Sequence, residues 1–310
     1  MSTLPHDRSD ILFSDGFPTS MMIESIDRWI LAMVSDERGG GDAPGGTLES
    51  VVTSKESGIV CGRFVVDRML ATHYPSCRAK WFVTDGSSVG AGDEILHLAG
   101  SGEDMLRSER VVLNVLGRLS GISTNASIWV REAGEMAVAC TRKVDWGLLD
   151  KWAVHTGGGL THRLSREDAL MIKDSEVLSS RSGDESEVEA LTRLVSEIDM
   201  DEDSGFTVIE VRDAEQALSV ARKWRDIQIN RDGHERVVIL LDNMGPVESS
   251  EVSSLLEEEN LRSRCILEGS GGISIGDVTK WAASGVDLIS TSKINRGVPP
   301  MDLSMRFKGA

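Results

Sequence analysis

The hydrophobic pattern changes character about two-fifths of the way along the chain. Before that point apolar positions form a few separate segments. Met21 to Val34 has helical spacing, and Gly39-Gly40-Gly41-Asp42 closes it as a loop. Ser57 to Gly62, Arg78 to Thr84 and Gly90 to Leu98 read as strands, with an Asp85-Gly86 turn between the last two. Met105 to Ile128 is a long amphipathic helix carrying Val111, Val112, Val115, Leu116 and Leu119 on one side. This part predicts a small mixed α/β sandwich module.

From Met136 onward short apolar runs recur: Met136–Cys140, Trp152–Val154, Ala169–Ile172, Phe206–Val211, Val237–Leu241, Arg264–Leu267 and Val286–Ser290. Helical segments at Glu185–Ile198, Ala214–Trp224, Val247–Leu261 and Ile275–Ala283 separate the later ones. Such alternation predicts parallel strands joined by crossover helices, closing into an incomplete or irregular β/α barrel of about seven strands. The tail from Val298 to Phe307 alternates like an edge strand and is expected to return to the small module. The domain division expected is therefore 1–122 for the module, with 295–310 rejoining it, and 123–294 for the barrel.

Composition narrows the function classes. The chain has 310 residues, 40% hydrophobic and 27% charged, ordinary for a globular protein of one large and one smaller domain. No window approaches the roughly 18 apolar residues of a membrane span. The start, MSTLPHDRSD, lacks the basic and apolar regions of a signal peptide, so a cytoplasmic location is expected. A net charge of −17 argues against nucleic acid, which needs a basic face. The four cysteines, Cys61, Cys77, Cys140 and Cys265, show no CxxC pair and read as thiols.

Against that acidity, the stretch Thr141 to Asp174 gathers Arg142, Lys143, His162, Arg163 and Lys173, each near the end of an apolar run. In a β/α barrel the carboxyl ends of the strands converge on one mouth, so these cations predict a pocket for a multiply anionic ligand. Glu210 and Asp242 end later strands and suit Mg²⁺. Ser270-Gly271-Gly272 and Ser290 to Ser292 follow the last two strands, where backbone N–H groups can cradle a phosphate. One rival pattern, Asp199, Asp201, Asp203 and Glu210 at EF-hand spacing, has Ser204 where glycine is required and a strand where a helix should follow. It reads instead as a solvated acidic loop.

The ordered segments SERVVLNVLGRLSGIST, TRK, GGGLTHR, MIKD, IEV, LLDNM, LEGSGGIS and GVDLIS resemble those of the type II phosphoribosyltransferases, typified by the quinolinate phosphoribosyltransferase family. The resemblance runs in register from about Gly39 to Leu303. It implies conversion of quinolinate and phosphoribosyl pyrophosphate to nicotinate mononucleotide, pyrophosphate and carbon dioxide. It further implies that Arg142, His162, Arg163 and Lys173 bind the quinolinate carboxylates. Arg110 would reach into the partner's site in a homodimer, alone or within a larger assembly. By the same resemblance Lys143, Glu210 and Asp242 attend the phosphoribosyl donor and Mg²⁺, with Lys143, Lys173, Glu210 and Asp242 as the catalytic set. Ser270, Gly271, Gly272, Ser290 and Ser292 form the phosphate loops.

Four departures stand out. TRK continues as Val144-Asp145-Trp146-Gly147-Leu148 rather than TTPGLR, which sets Asp145 near a site for dicarboxylates. IKD continues as Ser175-Glu176 rather than Asn-His. Val208 replaces the first glutamate of EVEV, and the second phosphate loop reads Ser290-Thr291-Ser292 in place of SVG. Three alternatives stay open at this stage. They are a relative using another carboxylated N-heterocycle, a Schiff-base aldolase-type barrel with Lys173 as nucleophile, and a non-catalytic phosphoribosyl-ligand binder.

Overall fold

The structure is a computed structural model that describes residues 4–37, 45–199 and 205–308. The Gly39–Asp42 loop and two aspartates of the EF-hand-like run, Asp201 and Asp203, lie outside the described residues. Two compact units emerge. One joins a short N-terminal piece ending at His6 to Trp129–Arg142 and His162–Ser292; the other comprises Asp7–Ile128, Lys143–Thr161 and Lys293–Ala310. The units are interleaved in sequence, so no single chain position separates them.

The second unit carries a four-stranded antiparallel sheet. Its strands are β1 (Thr47–Ser54), β2 (Arg78–Trp81), β3 (Glu94–Ser101) and the tail strand, Leu303–Phe307. The tail pairs with β1 at one edge, in the order tail-β1-β3-β2, with Met305 opposite Val52. The alternating tail thus becomes an edge strand, as its pattern predicts. It is led there past Gly121 on the long helix Gly102–Ala133, where a Cβ would sit 2.3 Å from the Pro299 carbonyl oxygen. Helix α1 (Ser20–Asp36) starts at Thr19, whose hydroxyl accepts the Met22 amide, and it buries Met22, Ile26 and Ile30 at helical spacing. Sequence patterning finds β2 and β3 but passes over β1, whose TLESVVTS mixes polar residues into a half-buried strand.

The first unit is built on a six-stranded parallel sheet: β4 (Ala137–Ala139), β5 (Leu170–Ile172), β6 (Thr207–Val211), β7 (Val237–Asp242), β8 (Cys265–Ser270) and β9 (Leu288–Ser290). The order is β4-β9-β8-β7-β6-β5. The central strands read as near-continuous apolar runs because both faces are buried, as parallel sheets require. Crossover helices α2 (Glu187–Ser196), α3 (Ala214–Asn230) and α4 (Gly245–Glu258) connect them. The β4 and β5 strands stand at opposite ends of the sheet, yet Arg142, after β4, and Lys173, after β5, line one cavity. The sheet therefore curls toward closure without pairing its ends, an incomplete α/β barrel.

The strand count corrects the expectation. Trp152–Val154 is not a strand but part of a helix, Leu148–Thr156. Its three-residue apolar window fits either period. The segment winds as a helix between Gly147 at φ 55° and Gly157, burying Leu149, Asp150, Lys151, Ala153 and Val154. Removing that run leaves six strands rather than about seven.

Candidate active site

Parallel register aligns the carboxyl ends of the strands. Asp242 is paired with Ser270, Ser270 with Ser290, and Ser290 with Ala139, so these residues share one face and one level. One layer deeper on that face lie Glu210, Leu240, Glu268 and Leu288, again in register. Strand parity thus sets Asp242, Ser270 and Ser290 at the rim, with Glu210 and the buried Glu268 one layer beneath on the same face.

The cationic arc is a cavity of about 410 Å³ lined by Arg142, Arg163, Arg166, Lys173 and Glu176 among others. Arg163 is only 7% exposed. Its guanidinium donates to the Ala169 carbonyl at 3.1 Å, which aims it along β5. Burial, with the like charges of Arg142 and Arg166 beside it, pushes the Arg163 pKa down. A cation held buried among cations is poised for an anionic ligand. Arg166 carries no sequence signal, since it sits in a polar turn, SREDA, whose direction no pattern shows.

His162 and Lys143 take other places than the cavity wall. His162 is 5% exposed, in a left-handed conformation at φ 51°, with Nε2 at 3.2 Å from both Glu268 oxygens. Its Nδ1 accepts the Arg163 backbone N–H at 2.7 Å. His6 Nε2 reaches the same carboxylate at 3.0 Å. Burial would push the Glu268 carboxyl up, but His162 and His6, hydrogen-bonded to it, hold it well below the usual range. Three buried groups with metal-ligand chemistry meet here. Because the His162 Nδ1 accepts an N–H, its Nε2 must carry the proton, and that disfavours ligation. Lys143 opens the chain's excursion into the second unit, where its carbonyl accepts from Asn295.

The acidic arc follows. Glu210 is half-buried and its carboxyl is pushed up by burial, then by Asp242 and Asp174, with Lys173 opposing. Asp174 joins this group from the start of helix Asp174–Ser180, one residue beyond Lys173. Asp242 accepts from Asn243 Nδ2 at 2.7 Å, and the Asn243 amide donates to the Ser270 carbonyl. Gly271 has φ 96°, and a Cβ there would lie 2.3 Å from Asn243 Oδ1, so only glycine fits. Gly272 (φ 61°) follows it. Ser290 Oγ donates to Ser270 Oγ at 3.4 Å, bringing the two expected phosphate loops together, and Ser292 begins a 3₁₀ turn beyond them.

Repulsion at Glu210 has a measurable consequence. A carboxyl whose folded pKa is raised binds more protons folded than unfolded, so stability falls as pH rises from the usual glutamate range through the raised value. Glu210→Gln is therefore expected to melt higher than the parent at neutral pH. The gap should close at pH values below the usual glutamate range, where both states are protonated. Equal melting curves at pH 7 would contradict the crowding.

Two residues belong to the second unit. Arg110 is exposed and lines a cavity of about 530 Å³ with Asn114, Arg118 and Trp146. Asp145 is paired with Arg118 at 3.2 Å and faces Arg296 at 3.7 Å. Arg118 also lies over Trp146 and binds the buried Asp150, so the altered segment after Lys143 is a closed charge network in its own unit. For the EF-hand pattern, Glu210 sits inside a strand rather than at a loop's end.

Comparison with known proteins gives a consistent picture. Family models for the C-terminal and N-terminal domains of quinolinate phosphoribosyl transferase match residues 122–306 and 42–120. A probable nicotinate-nucleotide pyrophosphorylase [carboxylating] from Methanothermobacter thermautotrophicus is 31% identical over 264 residues, 83% of this chain and 88% of its own. The chloroplastic nicotinate-nucleotide pyrophosphorylase of Arabidopsis thaliana is 29% identical, across 84% of this chain and 74% of its own. In fold, the nicotinate-nucleotide pyrophosphorylase of Francisella tularensis aligns with TM-score 0.77 at 22% identity, covering 92% of this chain and 96% of its own. That of Ehrlichia chaffeensis aligns at 0.73 and 23% identity, covering 94% and 99%.

Proposed function

The chain belongs to the quinolinate phosphoribosyltransferase family, and on that premise we propose that the barrel rim is where quinolinate meets phosphoribosyl pyrophosphate. The observation that carries this reading is the pairing of arcs on one rim: buried Arg163 with Arg142 and Lys173, then Glu210 and Asp242, then the Ser270–Gly272 loop. Of the alternatives read from sequence, family membership selects phosphoribosyl transfer over Schiff-base chemistry.

Arg142, Arg163 and Lys173 hold the two carboxylates and turn the pyridine nitrogen toward the anomeric carbon. His162 contributes by fixing Arg163 rather than by lining the cavity. The Ser270, Gly271, Gly272, Ser290 and Ser292 loops receive the 5′-phosphate. The nitrogen lone pair forms the bond to the anomeric carbon as the carbon–oxygen bond breaks and its electrons leave with pyrophosphate. Glu210 and Asp242 stabilise positive charge on the ribosyl ring in between. The bond to the 2-carboxylate then breaks, carbon dioxide departs, and a proton replaces it at that ring carbon.

Glu210 and Asp242 also suit Mg²⁺, which is held by one or two carboxylates plus substrate phosphates and needs no protein cage. Burial raises the Glu210 pKa first, and the neighbouring charges of Asp242 and Asp174, which add to it, are what a cation would offset. Bound there, Mg²⁺ supplies charge neutralisation to the leaving pyrophosphate.

Substrate identity is tested by offering quinolinate, nicotinate and other pyridine or pyrimidine carboxylates with the donor and Mg²⁺, and identifying products chromatographically. Nicotinate mononucleotide from quinolinate is expected; product only from another base would overturn the assignment. The reading also includes a homodimer in which Arg110 completes the partner's pocket. Mixed dimers of Arg110→Ala and Glu210→Ala subunits should then recover part of the activity that either variant alone lacks. Confirmed mixed dimers with no recovery would contradict sharing. A cytoplasmic location is retained as part of this proposal; among the described residues no helix is long and apolar enough to cross a membrane.

A further inference from the structure

The family models match from residue 42 onward, and His6 lies before them. Yet His6 is fully buried in the barrel unit, its ring 4.9 Å from both His162 and Phe206. We infer that His6 is a positioning residue for the anion pocket: through Glu268 and His162 it fixes the direction of Arg163.

The chain of contacts is continuous. His6 Nε2 and His162 Nε2 both donate to the Glu268 carboxylate, at 3.0 and 3.2 Å. His162 Nδ1 accepts the Arg163 amide at 2.7 Å. A non-glycine residue at φ 51° is disfavoured and persists only where its surroundings determine it. The surroundings here are Glu268 on one side and the Arg163 amide on the other. That backbone conformation sets how the chain leaves His162, and hence where the Arg163 guanidinium starts. Glu268 is fully buried, and an ionised carboxylate there needs donors for both oxygens. With His6 removed, one imidazole alone must satisfy it, and the constraint on His162 slackens. Small misplacements of a binding group cost a great deal, because alignment rather than contact number is what the pocket provides.

This inference rests on Arg163 being a ligand of quinolinate, so the test has one arm that does not. Amide hydrogen exchange at Arg163 is measured in the parent, His6→Ala and His6→Gln chains, together with the KM for quinolinate and for the phosphoribosyl donor. His6→Ala should lose protection at Arg163 and raise the quinolinate KM by roughly 10- to 100-fold, with the donor KM within about twofold. His6→Gln, whose amide nitrogen reaches the same carboxylate, should restore both. Should His6→Ala not fold, His6→Leu against His6→Gln makes the same comparison with the packing on Phe206 kept. Unchanged protection, lost protection with an unchanged quinolinate KM, or a failure of glutamine to rescue would each overturn the inference. A parent chain that turns over no quinolinate would sink the functional reading instead, leaving the exchange arm to decide on His6.

Discussion

Arg163→Ala is expected to weaken quinolinate binding by about 2–5 kcal/mol, roughly 30- to 4,000-fold, the usual cost of truncating one partner of a buried charge pair. The effect should exceed that of Arg142→Ala, because Arg142 is exposed and Arg163 is not. Arg163 is a buried cation facing the like charges of Arg142 and Arg166, and burial first, then those charges, depress its pKa. A dianionic ligand converts that repulsion into attraction. The ligand-free chain should therefore lose little stability on substitution, since the bonds to the Ala169 carbonyl and Met171 Sδ and the packing of the stem disappear together with that repulsion. Lysine is not expected to rescue, as it lacks the planar fork that meets a carboxylate with two parallel bonds. Calorimetric titration of quinolinate checks this. Affinity within twofold of the parent would remove Arg163 from the pocket.

Asp242→Asn should lower kcat/KM by about 10²–10³, the range seen when one preorganised charge aimed at the transition state is removed. A second signature separates this from damage to the fold. Asp242 is one of the charges that push the Glu210 carboxyl up, after burial itself. Neutralising it should let Glu210 ionise at lower pH, so the acid limb of the kcat/KM profile moves down. A drop in rate with an unmoved acid limb would mean that the two carboxylates do not share a site.

Much of this arrangement is legible along the chain because parallel strands are continuous apolar runs and the candidate side chains stand at or just past their carboxyl ends. Arg142, Lys173, Glu210, Asp242 and Ser270 are each found by reading the residues at or just after such a run. The failures have equally local causes. Trp152–Val154 is too short an apolar window to distinguish strand from helix, and β1 is too polar to stand out. His162 is found beside Arg163, while the contact of its ring with Glu268, at a positive φ, has no sequence signal. Glu268 itself carries no signal, being a single acid inside LEGSGG, and His6 belongs to a segment whose pattern says nothing about where it docks. Asp145 illustrates the converse: threatening by proximity in sequence, it is paired with Arg118 in the other unit.

If one rim of strand ends joins a carboxylated base to the phosphoribosyl group, the base's 2-carboxylate must leave as carbon dioxide in step with pyrophosphate. The direct measurement follows labelled carbon dioxide from quinolinate labelled at that carboxyl, alongside pyrophosphate, in the presence of donor and Mg²⁺. One carbon dioxide for each pyrophosphate, with both falling together in Asp242→Asn, is the predicted result. Pyrophosphate release without labelled carbon dioxide, or neither product from a folded chain, would contradict it.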